Sequence, residues 1–550
     1  MSDPTYKKLD STIVERELGL ELESHDSHTF LLGSSAVSTD EESLLTGPQS
    51  HIFGELEESP QGRHLGIYSV MVLYISRVVG SGIFATGSVI FESCGRSPLM
   101  FALAWAISYT VAICGLYIYL ELGSLIPRSG GTKVFLELIF NKPRMLMTVI
   151  FSVYSVAFGF CISSPLVFGE YFLRTFDLAV TGLRTRALAI GFVTLTCMFH
   201  AVSTRHGVMM QNVLGVMKIG LLVVLLLTGI WVIGFPTSMT GVENTLTWER
   251  FHQAEKPVTI ASFSNAIIVS SFTLAGWNMG HISSNEVKDP VRTYKIAGPL
   301  SMLLILLGYT AINVCYVSVL TPTEFAESGN LSGSVLFEKV YGVHFGKRFL
   351  TFSVAMCTAS NIFVVIYSVS RMSQEVFREG VLPFSVFMAS NKPFGTPLRS
   401  ICLCLFLSVT ILVLAPSGGV YGYIVSIEGY PVQLYTLFTA LGLIILRRRY
   451  PETKAPIRAS VIGAGLVVII MAYVLVSPFC GGNPNPKGTE SWISYPLVSI
   501  TLIFLYVLYW LVMFKLMPWI GRYKLVSETL ELDDGLTIKK WVQVPQSYFG

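Results

Sequence analysis

Charge is what this sequence has least of. Asp, Glu, Lys and Arg make up 13% of its 550 residues, about half the ~25% of an ordinary soluble protein. A soluble chain of this length would cover several domains with charge, so that class is excluded. The net charge of +3 lacks the basic excess of a nucleic-acid binder, and no nucleic-acid partner is expected. Cysteine is too sparse and too apolar in setting for a secreted disulfide scaffold. Of the nine, Cys114, Cys161, Cys197, Cys315, Cys357, Cys402 and Cys404 fall inside apolar runs, where a thiol behaves as a small hydrophobe. Cys402 and Cys404 do not make a metal motif, and only Cys94 and Cys480 could pair. No metal, cofactor or covalent chemistry is expected, so the chain does not read as an enzyme.

What remains is apolar: 52% hydrophobic residues. Residues 1–64 hold 13 acids against four bases, leaving +12 on the rest. This stretch lacks the positive and apolar regions of a signal peptide and cannot bury enough surface to order itself. It reads as a disordered acidic cytoplasmic tail, residues 517–550 as a second cytoplasmic tail, and 65–516 as a membrane domain. At about 20 residues per span, that domain has room for about twelve transmembrane helices. Apolar runs fall at 66–93, 98–124, 144–173, 187–203, 212–235, 260–284, 296–320, 348–373, 400–415, 421–446, 459–478 and 493–516. An even number puts both tails on one side. With the tails inside, the inner loops carry 17 Lys and Arg and the outer loops 10, which follows the positive-inside rule. The sequon Asn330-Leu331-Ser332 then falls outside, where glycosylation occurs.

Two runs carry glycines where a membrane helix should be continuous: Gly80-Ser81-Gly82-Ile83-Phe84 in the first and Phe272-Thr273-Leu274-Ala275-Gly276-Trp277-Asn278 in the sixth. Unwound backbone in hydrocarbon is tolerated where it is buried in protein or lines a cavity, and paired interruptions in two halves point to a transporter's site. The spacing, five spans from the first break to the second, fits two five-helix repeats plus two extra helices. Close packing through small residues is the competing explanation for either cluster alone. The amides that start a half-helix suit a carboxylate and the carbonyls that end one suit an ammonium. A free α-amino acid carries both charges.

These stretches resemble the amino acid–polyamine–organocation (APC) superfamily of permeases. The resemblance rests on Gly80-Ser81-Gly82-Ile83-Phe84, on Glu121-Leu122-Gly123 with Ile126-Pro127-Arg128-Ser129-Gly130-Gly131, and on Gly276-Trp277-Asn278 with Glu286 and Pro290. Further matches are Ser370-Arg371, Arg378-Glu379-Gly380 with Leu382-Pro383, Thr396-Pro397, and Arg447 to Glu452. Within that superfamily the chain looks like the L-type amino acid transporters, most of all the fungal methionine permeases. The resemblance covers roughly residues 65–515. It implies an all-α, LeuT-like 5+5 inverted repeat with broken helices 1 and 6.

Residue by residue, it puts the substrate carboxylate on Gly80, Ser81, Gly82 and Ile83, and the amine on the carbonyls of Phe272, Thr273 and Ala275. Phe272 also matches an aromatic gate. Ala157, Phe158, Gly159, Leu274 and Asn361 would line a mainly apolar side-chain pocket. Lys218, a lone cation in an apolar span, is expensive unless functional or snorkelling; in the superfamily a Lys here stands where sodium-coupled relatives hold sodium, which favours proton-coupled or exchange transport over sodium coupling. Glu428 lies 19 residues before Arg447, roughly 28 Å along a helix, which places it near the outer rim. The loop Arg174–Arg186 has no Cys, so no disulfide-linked heavy chain is expected. The N-terminal tail resembles ubiquitylated regulatory tails. The expected protein is a plasma-membrane secondary active importer of neutral L-amino acids, methionine first, working with protons by alternating access among membrane lipids. The alternatives are an exchanger and a non-transporting receptor.

Overall fold

The computed structural model describes residues 62–546 except 81, 127, 330–331, 415–417, 481–484, 486–488, 490 and 533. The N-terminal tail up to residue 61, Ser81, and Asn330 and Leu331 of the sequon therefore lie outside the described residues.

Helices occupy each of the apolar runs. The first holds α1 (Ile67–Val78), a turn Gly82–Ala85 and α2 (Gly87–Ser93). Then come α3 (Pro98–Leu125), a short amphipathic helix α4 (Thr132–Ile139), α5 (Leu146–Ala157), α6 (Ser163–Thr175), α7 (Gly182–Val202) and α8 (Thr204–Gly234). The sixth run holds α9 (Ile260–Thr273) and a 3₁₀ segment (Met279–Glu286). The last are α10 (Pro290–Val319), α11 (Val343–Arg378), α12 (Leu398–Leu414), α13 (Gly418–Arg449), α14 (Val461–Cys480) and α15 (Tyr495–Leu511). Among the described residues nine helices are long and apolar enough to cross a membrane. The remaining runs hold shorter helices, two of them because the chain unwinds within the run. The protein is thus an all-α membrane protein with one small hairpin. The third run is broken as well, between Ala157 and Ser163, which no glycine pair had announced.

Of the long spans, α10, α11 and the first are the most buried and α7 and α15 the least. The inner helices approach through small residues: a Cβ on Gly215 would lie 2.5 Å from Val72, and one on Gly229 would lie 2.8 Å from Ala311. Such contacts hold membrane helices together where lipid removes the hydrophobic drive. Cys94 and Cys480 are both free thiols.

One set of helix ends is joined by charge. Glu121 at the end of α3 accepts from Arg447 Nε at 2.8 Å and from the Ala459 amide at 2.6 Å. Residues 517–550 are not simply a polar tail. Tyr523–Glu531 (β1) pairs antiparallel with Thr537–Pro545 (β2), around a turn in which Gly535 has φ +76°. Alternating apolar residues on either side of Asp533-Asp534-Gly535 were the available signal. The hairpin docks on the end of α11: Glu379 takes Lys539 at 2.8 Å on one oxygen and buried Lys133 of α4 on the other. Trp541 Nε1 donates to the Glu379 carbonyl at 2.9 Å, and Arg378 Nε donates to the Thr537 carbonyl at 2.9 Å.

Burial alone would push the Glu379 carboxyl up, but Lys133 and Lys539 overcome this and hold it below the ordinary value. A depressed folded-state value stabilises fully above the unfolded value of about 4.3 and is lost only as pH falls through the lower one. Hairpin docking, read by limited proteolysis of the C-terminal segment, should therefore be unchanged from about pH 7 to about pH 5. Glu379→Gln leaves Lys133 buried with half its compensation, costs about 3 kcal/mol or more, and should make the hairpin protease-sensitive at neutral pH.

Candidate functional site

The first and sixth runs break where the sequence places glycine, and the two breaks meet. α1 stops at Val78, and the chain turns so that the Gly80 amide bonds back to the Val78 carbonyl at 2.9 Å. The carbonyls orphaned at this end are taken by distant groups. Lys218 Nζ of α8 donates to the Ser76 carbonyl at 2.7 Å, and Tyr309 of α10 donates to the Val78 carbonyl at 3.0 Å. Helix ends buried without such partners would be costly. The chain resumes helical geometry at Gly82, where the amides of Gly82 and Ile83 open a turn with no preceding turn to bond them. Thr86 closes that turn, its amide and hydroxyl both on the Gly82 carbonyl at 2.8 Å.

On the other side α9 ends at Thr273, and the Ala275 amide bonds to the Phe272 carbonyl at 3.1 Å. Gly276 then has φ +129°, a conformation L side chains avoid. A Cβ there would also lie 2.5 Å from Cγ of Arg77. Both constraints require glycine, and together they seat the sixth break against the end of α1.

Contact between the breaks is direct. A Cβ on Gly82 would lie 2.9 Å from Cγ2 of Thr273, and Thr86 and Thr273 share a hydroxyl hydrogen bond at 3.0 Å. Asn361 of α11 stands beside Gly80, 3.4 Å from the position of an added Cβ. Its amide donates to Ser164 at 2.8 Å, while its buried Oδ1 has no partner among the described residues. A buried amide oxygen without a donor is unusual, and here it borders the unwound turn.

Of the residues expected at the site, Gly80, Gly82, Thr273 and Asn361 are brought together. Ile83 opens the turn, with its own side chain buried and its carbonyl accepting from Tyr316 at 3.3 Å. Phe272 is 49% exposed and Ala275 is exposed, whereas Leu274 is packed in the core. Ala157, Phe158 and Gly159 lie at the break of the third run, with Gly159 buried and Ala157 exposed. Ser81 lies outside the described residues. Lys218 is 1% exposed. It does not snorkel; its ammonium is tied to the end of α1.

Sequence reasoning passed over Arg77, one residue before the end of α1. The signal was the one that singled out Lys218: a lone cation inside an apolar run. Glu428 is also not at an outer rim. Tyr154, three residues before the end of α5, donates to its carbonyl at 3.1 Å, which sets Glu428 beside the third break. α13 has 32 residues, about 48 Å, against a hydrocarbon core of about 30 Å. Counting from Arg447 misjudged the depth because a helix of this length exceeds the hydrocarbon core, so its end does not mark the edge of the bilayer.

Beyond the sixth break, Glu286 ties three segments together. It accepts from Arg371 Nε at 2.9 Å and Tyr367 at 2.7 Å. Its carbonyl takes the amides of His64 and Leu65 at 3.0 and 2.9 Å. The segment entering α1 is thus pinned to the segment leaving the sixth break.

A many-helix membrane body with opposed unwound turns at its centre is the architecture of a small-molecule carrier. The chain belongs to the amino acid permease family, whose sequence profile matches residues 65–519, and it is accordingly a multi-pass membrane transporter of amino acids rather than an enzyme. It is 41% identical to the low-affinity methionine permease of Saccharomyces cerevisiae over 89% of both chains. It is 31% identical to the high-affinity methionine permease of the same yeast, over 90% of this chain and 86% of that one. The human large neutral amino acids transporter small subunit 2 is 25% identical over 77% of this chain and 79% of its own.

The Gly82–Thr273 contact leaves no room for a methyl group. Gly82→Ala should weaken amino acid binding about tenfold or more through overpacking. Thr273→Ser, which removes Cγ2, should restore part of the loss in the double variant. Isothermal titration of purified protein checks both; independent, additive losses would separate the two residues.

Proposed function

We propose that the protein imports neutral L-amino acids, with methionine as principal substrate, across the plasma membrane by alternating access coupled to protons. The carrying observation is the direct apposition of Gly82 and Thr273 between two interrupted helices. In this reading the amides of Gly82, Ile83 and Ser81 hold the substrate carboxylate, with Gly80 permitting their approach. The carbonyls of Phe272, Thr273 and Ala275 take the ammonium, and Phe272 closes over it. Such dipoles gain strength in a dry site and need no reorganisation. Leu274, Ala157, Phe158, Gly159 and Asn361 shape the side-chain pocket. The two yeast methionine permeases support methionine as the first substrate.

The LeuT-like 5+5 arrangement of a twelve-span domain, with both termini in the cytoplasm, is part of the same proposal. So are an acidic N-terminal tail open to ubiquitylation and function without a disulfide-linked heavy chain. Lys218 is assigned to coupling: its ammonium links α8 to the carbonyl of Ser76, whose hydroxyl meets Ser360 at 3.0 Å, so its state bears on how α1 can move.

Expression in cells without their own methionine uptake tests the assignment. Saturable uptake of labelled methionine is expected, lost in Gly82→Leu, and outcompeted by neutral rather than basic amino acids. Binding without uptake would make the protein a receptor, and uptake only into preloaded cells would make it an exchanger. Lys218→Ala removes one charge-assisted hydrogen bond and should slow initial uptake about tenfold or more. An unchanged rate and pH dependence would remove Lys218 from the mechanism.

A further inference from the structure

The third interruption leaves hydrogen-bonding capacity that its neighbours do not use. α6 opens at Ser163 with no side chain capping it, so its first amides have no intrahelical partner. Just before it, the Cys161 amide is taken by Ser408 at 2.9 Å. The amides of Ser163 and Ser164 find no acceptor among the described residues. Ser164 is 7% exposed, and its hydroxyl oxygen accepts from Asn361 Nδ2 at 2.8 Å. Among the described residues the Ser164 hydroxyl proton has no acceptor. Asn361 is 6% exposed, and its Oδ1 has no donor. Turning that amide over would give Oδ1 the Ser164 proton but strand the amide N–H groups instead. In both arrangements a donor is left over beside Gly80, where Asn361 stands.

We propose that Ser164, at the open end of α6, is the specificity residue for a thioether side chain, donating its hydroxyl to the substrate sulfur, with Asn361 as its positioning residue. The inference rests on the importer reading above, in which the third break lines the side-chain pocket, and it names what selects the side chain. Its physical basis is a single donor among apolar groups. Phe158 and Phe160 of the same break pack edge to face, with ring centroids 5.9 Å apart, and Leu274 is buried opposite. A strongly polar side chain would lose its hydration there for one hydrogen bond, and a purely aliphatic one would leave the donor unmet. A thioether is apolar, polarisable and a weak acceptor, and it gains from contact with aromatic rings. The partial positive charge at the start of α6 acts in the same direction on an electron-rich sulfur.

Reach and orientation agree with this role. The Ser164 hydroxyl lies within about 6 Å of the place a Cβ on Gly80 would take, by way of Asn361. That is the range of a side chain whose sulfur is three bonds from Cα. Because the hydroxyl oxygen already accepts from Asn361, its proton points away from Asn361, and accepting one bond strengthens the bond it donates. Neighbouring hydroxyls are spent. Thr86 and Thr273 bond to each other and to backbone carbonyls of their own helices. Ser408 serves the Cys161 amide and the Cys404 carbonyl. Ser164 differs from these in keeping its proton.

The test is isothermal titration of the purified full-length protein with L-methionine and with L-norleucine, which carries a methylene in place of the sulfur. Wild type should bind methionine about fivefold more tightly, the weight of one modest hydrogen bond. In Ser164→Ala the ratio should fall close to one, through weaker methionine binding rather than tighter norleucine binding. Ser164→Thr, which keeps the hydroxyl, should retain most of the ratio. Asn361→Ala leaves the hydroxyl in place but unoriented, so the ratio should fall part of the way; it is also the second variant to read if Ser164→Ala does not fold. A purely structural role for either residue would weaken both amino acids alike and leave the ratio unchanged. An unchanged ratio in Ser164→Ala, or in Asn361→Ala where only that variant folds, overturns the proposal, as does a wild type that binds the two amino acids equally. Wild-type protein that binds neither amino acid overturns the importer reading itself.

Discussion

Peptide groups released inside a membrane must find partners, and this constraint organises the molecule. Where α1 stops, its terminal carbonyls are collected by Lys218 and Tyr309 from two different helices. Where the chain resumes, Thr86 closes the first turn and shares a hydroxyl contact with Thr273 of the opposite break. Unwinding a helix in a low-dielectric interior costs several kcal/mol for each unsatisfied group. The surrounding helices are therefore selected to supply donors, and the proposed reading gives the amides left without them to the substrate. The break is a fixed feature held by α8, α10 and α11 rather than a loose segment.

The same constraint links the site to the helix ends on one face. The backbone before α1 bonds to the Glu286 carbonyl just after the sixth break, while the Glu286 carboxylate holds Arg371 and Tyr367 of α11. Movement of α1 thus has to break contacts with the chain's own sixth run and with its most buried helix. On that same face, the hairpin of β1 and β2 ties the end of α11 to α4 through Glu379, Lys133 and Lys539. A transporter needs elements with two discrete arrangements, and these polar clasps are where such alternatives can be separated by a few interactions rather than by repacking a core.

Much of this was legible in one dimension. Low charge and long apolar runs select a membrane protein because no other fold tolerates them. Gly80, Gly82 and Gly276 announced the two breaks because glycine in mid-membrane needs a reason: Gly276 proves to need its freedom at φ +129° and its missing Cβ against Arg77. Lys218 announced itself by standing alone. The third break carried no comparable signal. Chain unwinding between Ala157 and Ser163 is paid for in three dimensions, in part by Ser408 of α12 accepting from the Cys161 amide at 2.9 Å, and nothing near Cys161 in the sequence mentions Ser408.

The membrane class, the number of apolar runs, the places of two interruptions and the kinship with amino acid permeases were determined by the sequence alone, since each depends on composition, periodicity or local backbone freedom. What stands opposite what was decided only in the folded molecule. The meeting of Gly82 with Thr273, the clasp of Lys218 on Ser76, the approach of the Asn361 amide to Gly80, and the stem of Arg77 against Gly276 join residues separated by up to several hundred positions. Such pairings follow from how helices cross and how far they project past the bilayer. A residue's own neighbours in the chain carry no record of that geometry.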